Sequence, residues 1–202
     1  MKNNSKILVF LMITAAIIAA AILISFAGCS SGSGESKLDV ETSAGSKTAE
    51  NIGDGKNVYF AGPLFNQSEK DFNLKLAKVL EERGYHVFLP QRDGIEAALL
   101  EGKSEEELTK MIFDLDSGEV KKADIIFMNL DGRVPDEGAC VELGIAYGTG
   151  KRCYGFKTDT RSVELGMDLN PMISGCMIKI FKNFDGDKLI EEINQYLSEN
   201  EL

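Results

Sequence analysis

Three acids in this chain stand where a charge is hard to keep. Glu142 lies in "ACVELGIAY", where nearly every neighbour is small or apolar, so a helix there draws the carboxylate towards the interior. A buried, unpaired carboxylate costs several kcal/mol or shifts its pKa, and so needs a partner or a task. Asp136 precedes it in the loop "DGRVPDEG". Asp116 follows Leu108 and Ile112 at helical spacing and continues their apolar stripe inward. Carboxylates gathered at one place cannot all ionise freely, so one keeps its proton near neutral pH and can act as an acid. Each residue also has a plainer reading. Glu142 could form a buried ion pair with Arg92 or Arg152, Asp136 could cap the following helix, and Asp116 could end its helix beside Ser117 and Gly118.

The elements that must position these acids alternate along the chain. "NVYFAGP" reads as a buried strand stopped by Gly62 and Pro63. Ser68 followed by Asp71 predicts a helix cap, with Phe72, Leu76, Val79 and Leu80 on the inward face up to Gly84. "YHVFLP" is a second strand. Ser104 with Glu107 caps another helix, whose inward face carries Leu108, Met111, Ile112 and Leu115 and continues through Val120 to Ala123. "DIIFMNL" is a third strand, after which the helix holding Glu142 runs to "GTGK". "RCYGF" and "MIKIF" are strands four and five, and a closing helix over 185–197 turns Leu189, Ile193, Tyr196 and Leu197 inward. This order predicts an α/β fold of the flavodoxin or Rossmann-like three-layer kind, with a five-stranded, mainly parallel sheet. The acids then converge at the carboxyl ends of the strands, where such sheets bind ligands.

The 202 residues are 44% hydrophobic, enough for one domain and an additional segment. That segment is N-terminal. Lys2 and Lys6 precede an uncharged stretch, and no charge returns until Glu35. The apolar run exceeds the roughly 7 to 15 residues of an ordinary secretory signal, and "FAGC" at its end resembles a bacterial lipoprotein cleavage box. We therefore expect a lipoprotein-type signal peptide over 1–28, lipidation of Cys29, a flexible Ser- and Gly-rich tether over 29–56 and a folded domain over 57–202. The protein is expected to be exported and tethered to the bacterial membrane; an uncleaved transmembrane anchor is the alternative.

The formal net charge of −10 argues against nucleic acid as a partner and favours small molecules. Cys140, Cys153 and Cys176 show no C-x-x-C spacing, so neither a zinc site nor a disulfide framework is expected. His86, the only histidine, lies in an apolar strand, which leaves no Ser-His-Asp triad. "FAGPLFN" matches neither dinucleotide nor triphosphate fingerprints, and no cofactor or metal is expected.

Four ordered motifs carry a family resemblance: Tyr59 in "VYFAGPLF", Asp116 in "DSGEVKKAD", the block "DEGACVELGIA", and "NPM" at 170–172. Together they resemble the nucleoside 2-deoxyribosyltransferases across about 57–197. The resemblance implies that Glu142 is the nucleophile, captured by the sugar in a covalent glycosyl-enzyme. It implies that Asp116 and Asp136 hold and protonate the base and that Tyr59 orients Glu142. Gly62, Phe65 and Gly138 fall at substrate-binding positions, and Asn170 and Met172 match residues that reach into a neighbouring subunit's site. The implied substrates are deoxynucleosides and free bases, in salvage, and the implied assembly is a homo-oligomer. The closing "YLSENEL" does not resemble the C-terminus that some members fold into the pocket. Hydrolases of 2′-deoxynucleoside 5′-monophosphates share the Glu142 motif, but the loop "AGPLFNQSE" has no Arg for a phosphate and Asp136 would repel one. A non-catalytic nucleoside-binding lipoprotein is a further alternative; such a protein has no need of a nucleophile.

Overall fold

The computed structural model describes residues 53–161 and 166–202. The signal peptide, Cys29 and nearly all of the tether lie outside the described residues. Among those described, no helix is long and apolar enough to cross a membrane.

Five strands, β1 (Asn57–Ala61), β2 (His86–Phe88), β3 (Ile125–Asn129), β4 (Arg152–Lys157) and β5 (Lys179–Lys182), form one sheet in the order β2-β1-β3-β4-β5. All four pairings are parallel. The helices are α1 (Gln67–Glu82), the short α2 (Pro90–Asp93), α3 (Glu105–Lys122), α4 (Glu137–Gly148), the short α5 (Pro171–Ser174) and α6 (Gly186–Glu199). Both faces of the sheet are covered, which is why its strands are nearly continuous apolar runs. On one face Val58, Phe60, Phe127 and Phe156 pack under Leu76 and Leu80 of α1 and Leu189, Ile193 and Leu197 of α6. On the other, Tyr59, Ala61, Ile126 and Met128 pack under Val120 of α3 and Ala139, Leu143 and Ala146 of α4.

The chain leaves β1 towards β2 on one side and resumes at β3 on the other, so the strand order reverses between β1 and β3. At such a switch point the connections diverge and open a crevice at the strands' carboxyl ends. Gly62 sits there with φ 151°, and a Cβ on it would come within 2.5 Å of the Asn129 Cβ. Only glycine fits this close approach.

Two expectations are corrected. The cap of α1 is Asn66 with Glu69, not Ser68 with Asp71. Glu69 Oε2 accepts from the amides of both Phe65 and Asn66, at 2.8 and 3.2 Å, and so satisfies two donors at the helix entry. Ser104 does cap α3 with Glu107. The apolar face of α3 is not buried along its length, however. Ile112 is 46% exposed, and burial begins only at Ser117. The first half of α3 therefore finds no cover among the described residues, whereas Asp116 stands half-buried where the helix meets the sheet. Ser117 and Gly118 do not end the helix, which continues to Lys122.

The edge strand β2 is only three residues long, and Arg92 Nη2 caps the Val87 carbonyl at 2.8 Å, which removes an exposed acceptor from the edge. At the amino ends of the strands, Leu202 is fully buried. Its amide donates to the Tyr85 hydroxyl at 2.8 Å, and its carbonyl accepts from Arg152.

Candidate active site

Tyr59 occupies the middle of β1 and faces the α3/α4 layer, with its ring stacked on Phe88 at 5.6 Å between centroids. Its hydroxyl donates to Glu142 Oε1 at 2.7 Å. This bond joins a strand to the helix above it, so the carboxylate is held from the sheet rather than by solvent. The ion-pair reading of Glu142 fails on geometry. Arg92 is engaged by Glu81 at 2.8 Å and Asp93 at 2.9 Å, and Arg152 donates to the Tyr154 hydroxyl at 2.7 Å.

With no cation beside Glu142 among the described residues, its proton is hard to remove. Burial pushes the Glu142 carboxyl up to about 7, the Tyr59 hydrogen bond opposes the rise, and the carboxylates of Asp116 and Asp136 add to it. Asp116 is also raised, by burial first and then by the neighbouring Glu119 carboxylate. Tyr59 is driven well above the ordinary phenol range by burial and then by the Glu142 charge, so it stays a neutral donor. Two acids with raised pKa values, beside a donor that cannot ionise, suit proton transfer coupled to nucleophilic attack.

Asp136 is the helix cap of its plainer reading and also borders a cleft. Oδ1 accepts the Ala139 amide at 2.8 Å and caps α4, while the same residue lines a cleft of about 550 Å³ at the switch point. Phe65, 76% exposed, forms another wall of that cleft. Gly138 lies two residues after the cap, where a Cβ would stand 3.1 Å from Asp136 Oδ1, so a side chain there would crowd the carboxylate. A larger cleft, of about 840 Å³, lies at the amino ends of β1 and β2 and contains none of Tyr59, Asp116, Asp136 or Glu142, whereas of these four Asp136 alone lines the cleft at the switch point.

The structure thus brings Tyr59, Asp116, Asp136 and Glu142 to one region. Asn170 and Met172 are different. Asn170 caps α5 by accepting the Met172 amide at 2.9 Å, and Met172 is 80% exposed; neither has a hydrogen bond to the acid cluster. Among the described residues no three His, Cys, Asp or Glu side chains gather as a metal site, and Cys140, Cys153 and Cys176 are free thiols. Sequence reasoning passed over Asn73, Asn129 and Asp131, which lie beneath or along the cleft. Asparagines in an apolar strand and on the inward face of a helix were the available signal.

A family model described as nucleoside 2-deoxyribosyltransferase matches residues 58–187. Among solved structures, a conserved protein from Enterococcus faecalis V583 is 25% identical, with a TM-score of 0.55 over 70% of this chain and 98% of that one. A 2-deoxyribosyltransferase from Bacillus psychrosaccharolyticus is 29% identical, with a TM-score of 0.53 over 66% of this chain and 90% of that one. No curated protein sequence matches significantly.

Proposed function

Because the chain belongs to the nucleoside 2-deoxyribosyltransferase family, we propose that it exchanges the base of 2′-deoxyribonucleosides through a covalent 2-deoxyribosyl intermediate on Glu142. A free Glu142 oxygen attacks the anomeric carbon as the bond from that carbon to the base nitrogen breaks. The electron pair leaves with the base, which takes the proton held by Asp116. Asp136, at the mouth of the cleft, binds the base. An incoming base then attacks the same carbon and returns its proton to Asp116, and Glu142 leaves as a carboxylate. The observation that carries this reading is the 2.7 Å bond from Tyr59 to a half-buried Glu142 that has no cation partner among the described residues. The bond leaves one carboxylate oxygen oriented for attack, while burial and the neighbouring carboxylates keep the cluster from ionising completely.

The exposed Met172, and the uncovered Ile112 and Phe113 of α3, support a homo-oligomer in which one subunit's "NPM" segment completes another's site. Incubating the purified protein with a deoxynucleoside and a second free base, followed by chromatography, tests the activity. A new nucleoside is expected; free sugar alone would mean hydrolysis, and binding without turnover would mean a carrier.

The hydrogen bond from Tyr59 predicts the pH profile. It favours ionised Glu142, so Tyr59→Phe raises that pKa further, and the acid limb of kcat/KM, set near 7 by Glu142, moves to higher pH. Activity at pH 6 therefore falls more than activity at pH 8. A limb that stays in place would show that Tyr59 does not hold the attacking carboxylate.

A further inference from the structure

A polar chain crosses the carboxyl edge of the sheet beneath the cleft, and the mechanism above makes no use of it. Asn73 on α1 and Asn129 at the end of β3 are each 2% exposed. Asn73 Nδ2 donates to the Pro63 carbonyl at 2.9 Å and to Gln91 Oε1 at 3.3 Å. Asn129 Nδ2 donates to Asn73 Oδ1 at 3.2 Å, and Asn129 Oδ1 accepts the Asp131 amide at 2.9 Å. The Asp131 carboxylate accepts the Thr158 amide and hydroxyl, each at 2.6 Å, and the Asp159 amide at 2.8 Å. The ends of β1, β3 and β4 are thus joined by one run of side-chain bonds. Among the described residues no buried side-chain nitrogen or oxygen lacks a partner.

Stability alone does not call for this arrangement. Replacing both members of a buried polar pair by apolar groups of similar shape is often nearly neutral, whereas losing one member strands the other. What the chain does is join two walls. Pro63 begins the segment that carries Phe65, and Asp131 begins the loop that carries Asp136; all four residues line the cleft. The missing side chain at Gly62 lets the first wall lie directly against Asn129.

We propose that Asn73 and Asn129 are positioning residues, forming a clamp that fixes the Phe65 wall against the Asp136 wall and so sets the fit of the nucleoside base. The proposal rests on the base-exchange reading of the site. Misplacement of a substrate by about 1 Å can cost on the order of 100-fold in rate. The double variant Asn73→Leu/Asn129→Leu removes the Asn73–Asn129 bond and leaves the Pro63 carbonyl and the Asp131 amide without their side-chain partners, so Tm is expected to fall while the protein stays folded and kcat/KM falls about 10- to 100-fold, chiefly through KM. Hydrogen exchange over 63–66 and over 130–136 is expected to speed up in both segments together. Asn73→Asp keeps the acceptor for Asn129 and loses the donor to Pro63, so faster exchange is expected over 63–66 alone.

Parent-like KM, kcat and exchange in the double variant would overturn the clamp. So would an unfolded double variant combined with parent-like exchange in Asn73→Asp. If the parent itself shows no cleavage of the base–sugar bond, the exchange reading fails and the hydrogen-exchange arm decides the clamp separately. Coupled loosening of the two walls would then uphold it, and unchanged walls would dismiss it.

Discussion

Glu142→Ala is expected to lower base exchange by on the order of 10⁴-fold or more, because it removes the atom that forms the intermediate and not merely a contact to it. Glu142→Gln should be comparably inactive, since an amide oxygen is a poor nucleophile, and it separates catalysis from folding. The raised pKa means that the folded protein holds a proton on Glu142 between its ordinary value of 4.5 and about 7. This group's favourable contribution to stability is therefore complete below about 4.5 and is lost as pH rises through 7. Glu142→Gln should make the fold more stable at pH 8, by roughly 1–3 kcal/mol, with no gain at pH 4. A 2-fluoro-substituted deoxynucleoside analogue slows breakdown of the intermediate by destabilising positive charge on the sugar. Mass spectrometry should then find the sugar on the peptide containing Glu142. An adduct elsewhere, or near-parent turnover in Glu142→Ala, would refute the assignment.

Asp116→Asn is expected to produce the second-largest loss, about 10² to 10⁴-fold, and the loss should depend on the leaving group. A base that departs readily as an anion needs little protonation, whereas a poor leaving group depends on it. A series of deoxynucleosides whose bases differ in basicity should therefore show a steeper dependence of kcat on leaving-group pKa in the variant. An equal loss for every base would assign Asp116 to binding and not to proton transfer.

Much of this architecture was legible because strands buried on both faces lose the usual alternation. "VYFA" and "IIFMN" read as continuous apolar runs, and the structure has β1 and β3 there. Glu142 was legible for the complementary reason, as a charge among apolar neighbours. Other features depended on competition between nearly equivalent local options. Asn66 with Glu69 and Ser68 with Asp71 both have the form of a cap, and reach of the Glu69 carboxylate to two amides decided between them. The short α2 and α5 were missed, although Pro90 and Pro171 stand at their starts, where proline's fixed φ suits a helix. Ile112 kept the spacing of an inward residue, but burial is set by what lies opposite, and among the described residues nothing covers it. The pairing of Asn73 with Asn129 spans 56 positions, which no local pattern encodes.

The anchoring of Leu202 bears on orientation. A parallel sheet starts every strand at one edge and ends every strand at the other. Gly53, bonded to the Arg83 carbonyl at 2.8 Å, enters at the same edge where Leu202 is pinned between Tyr85 and Arg152, and Lys56 is paired with Glu201 there. Asp136, Phe65 and the switch-point crevice lie at the other edge, about 17 Å away for a five-residue strand. The domain is therefore polar along its strands: Gly53 and Leu202 lie at the rear edge, and the crevice at the switch point opens at the front.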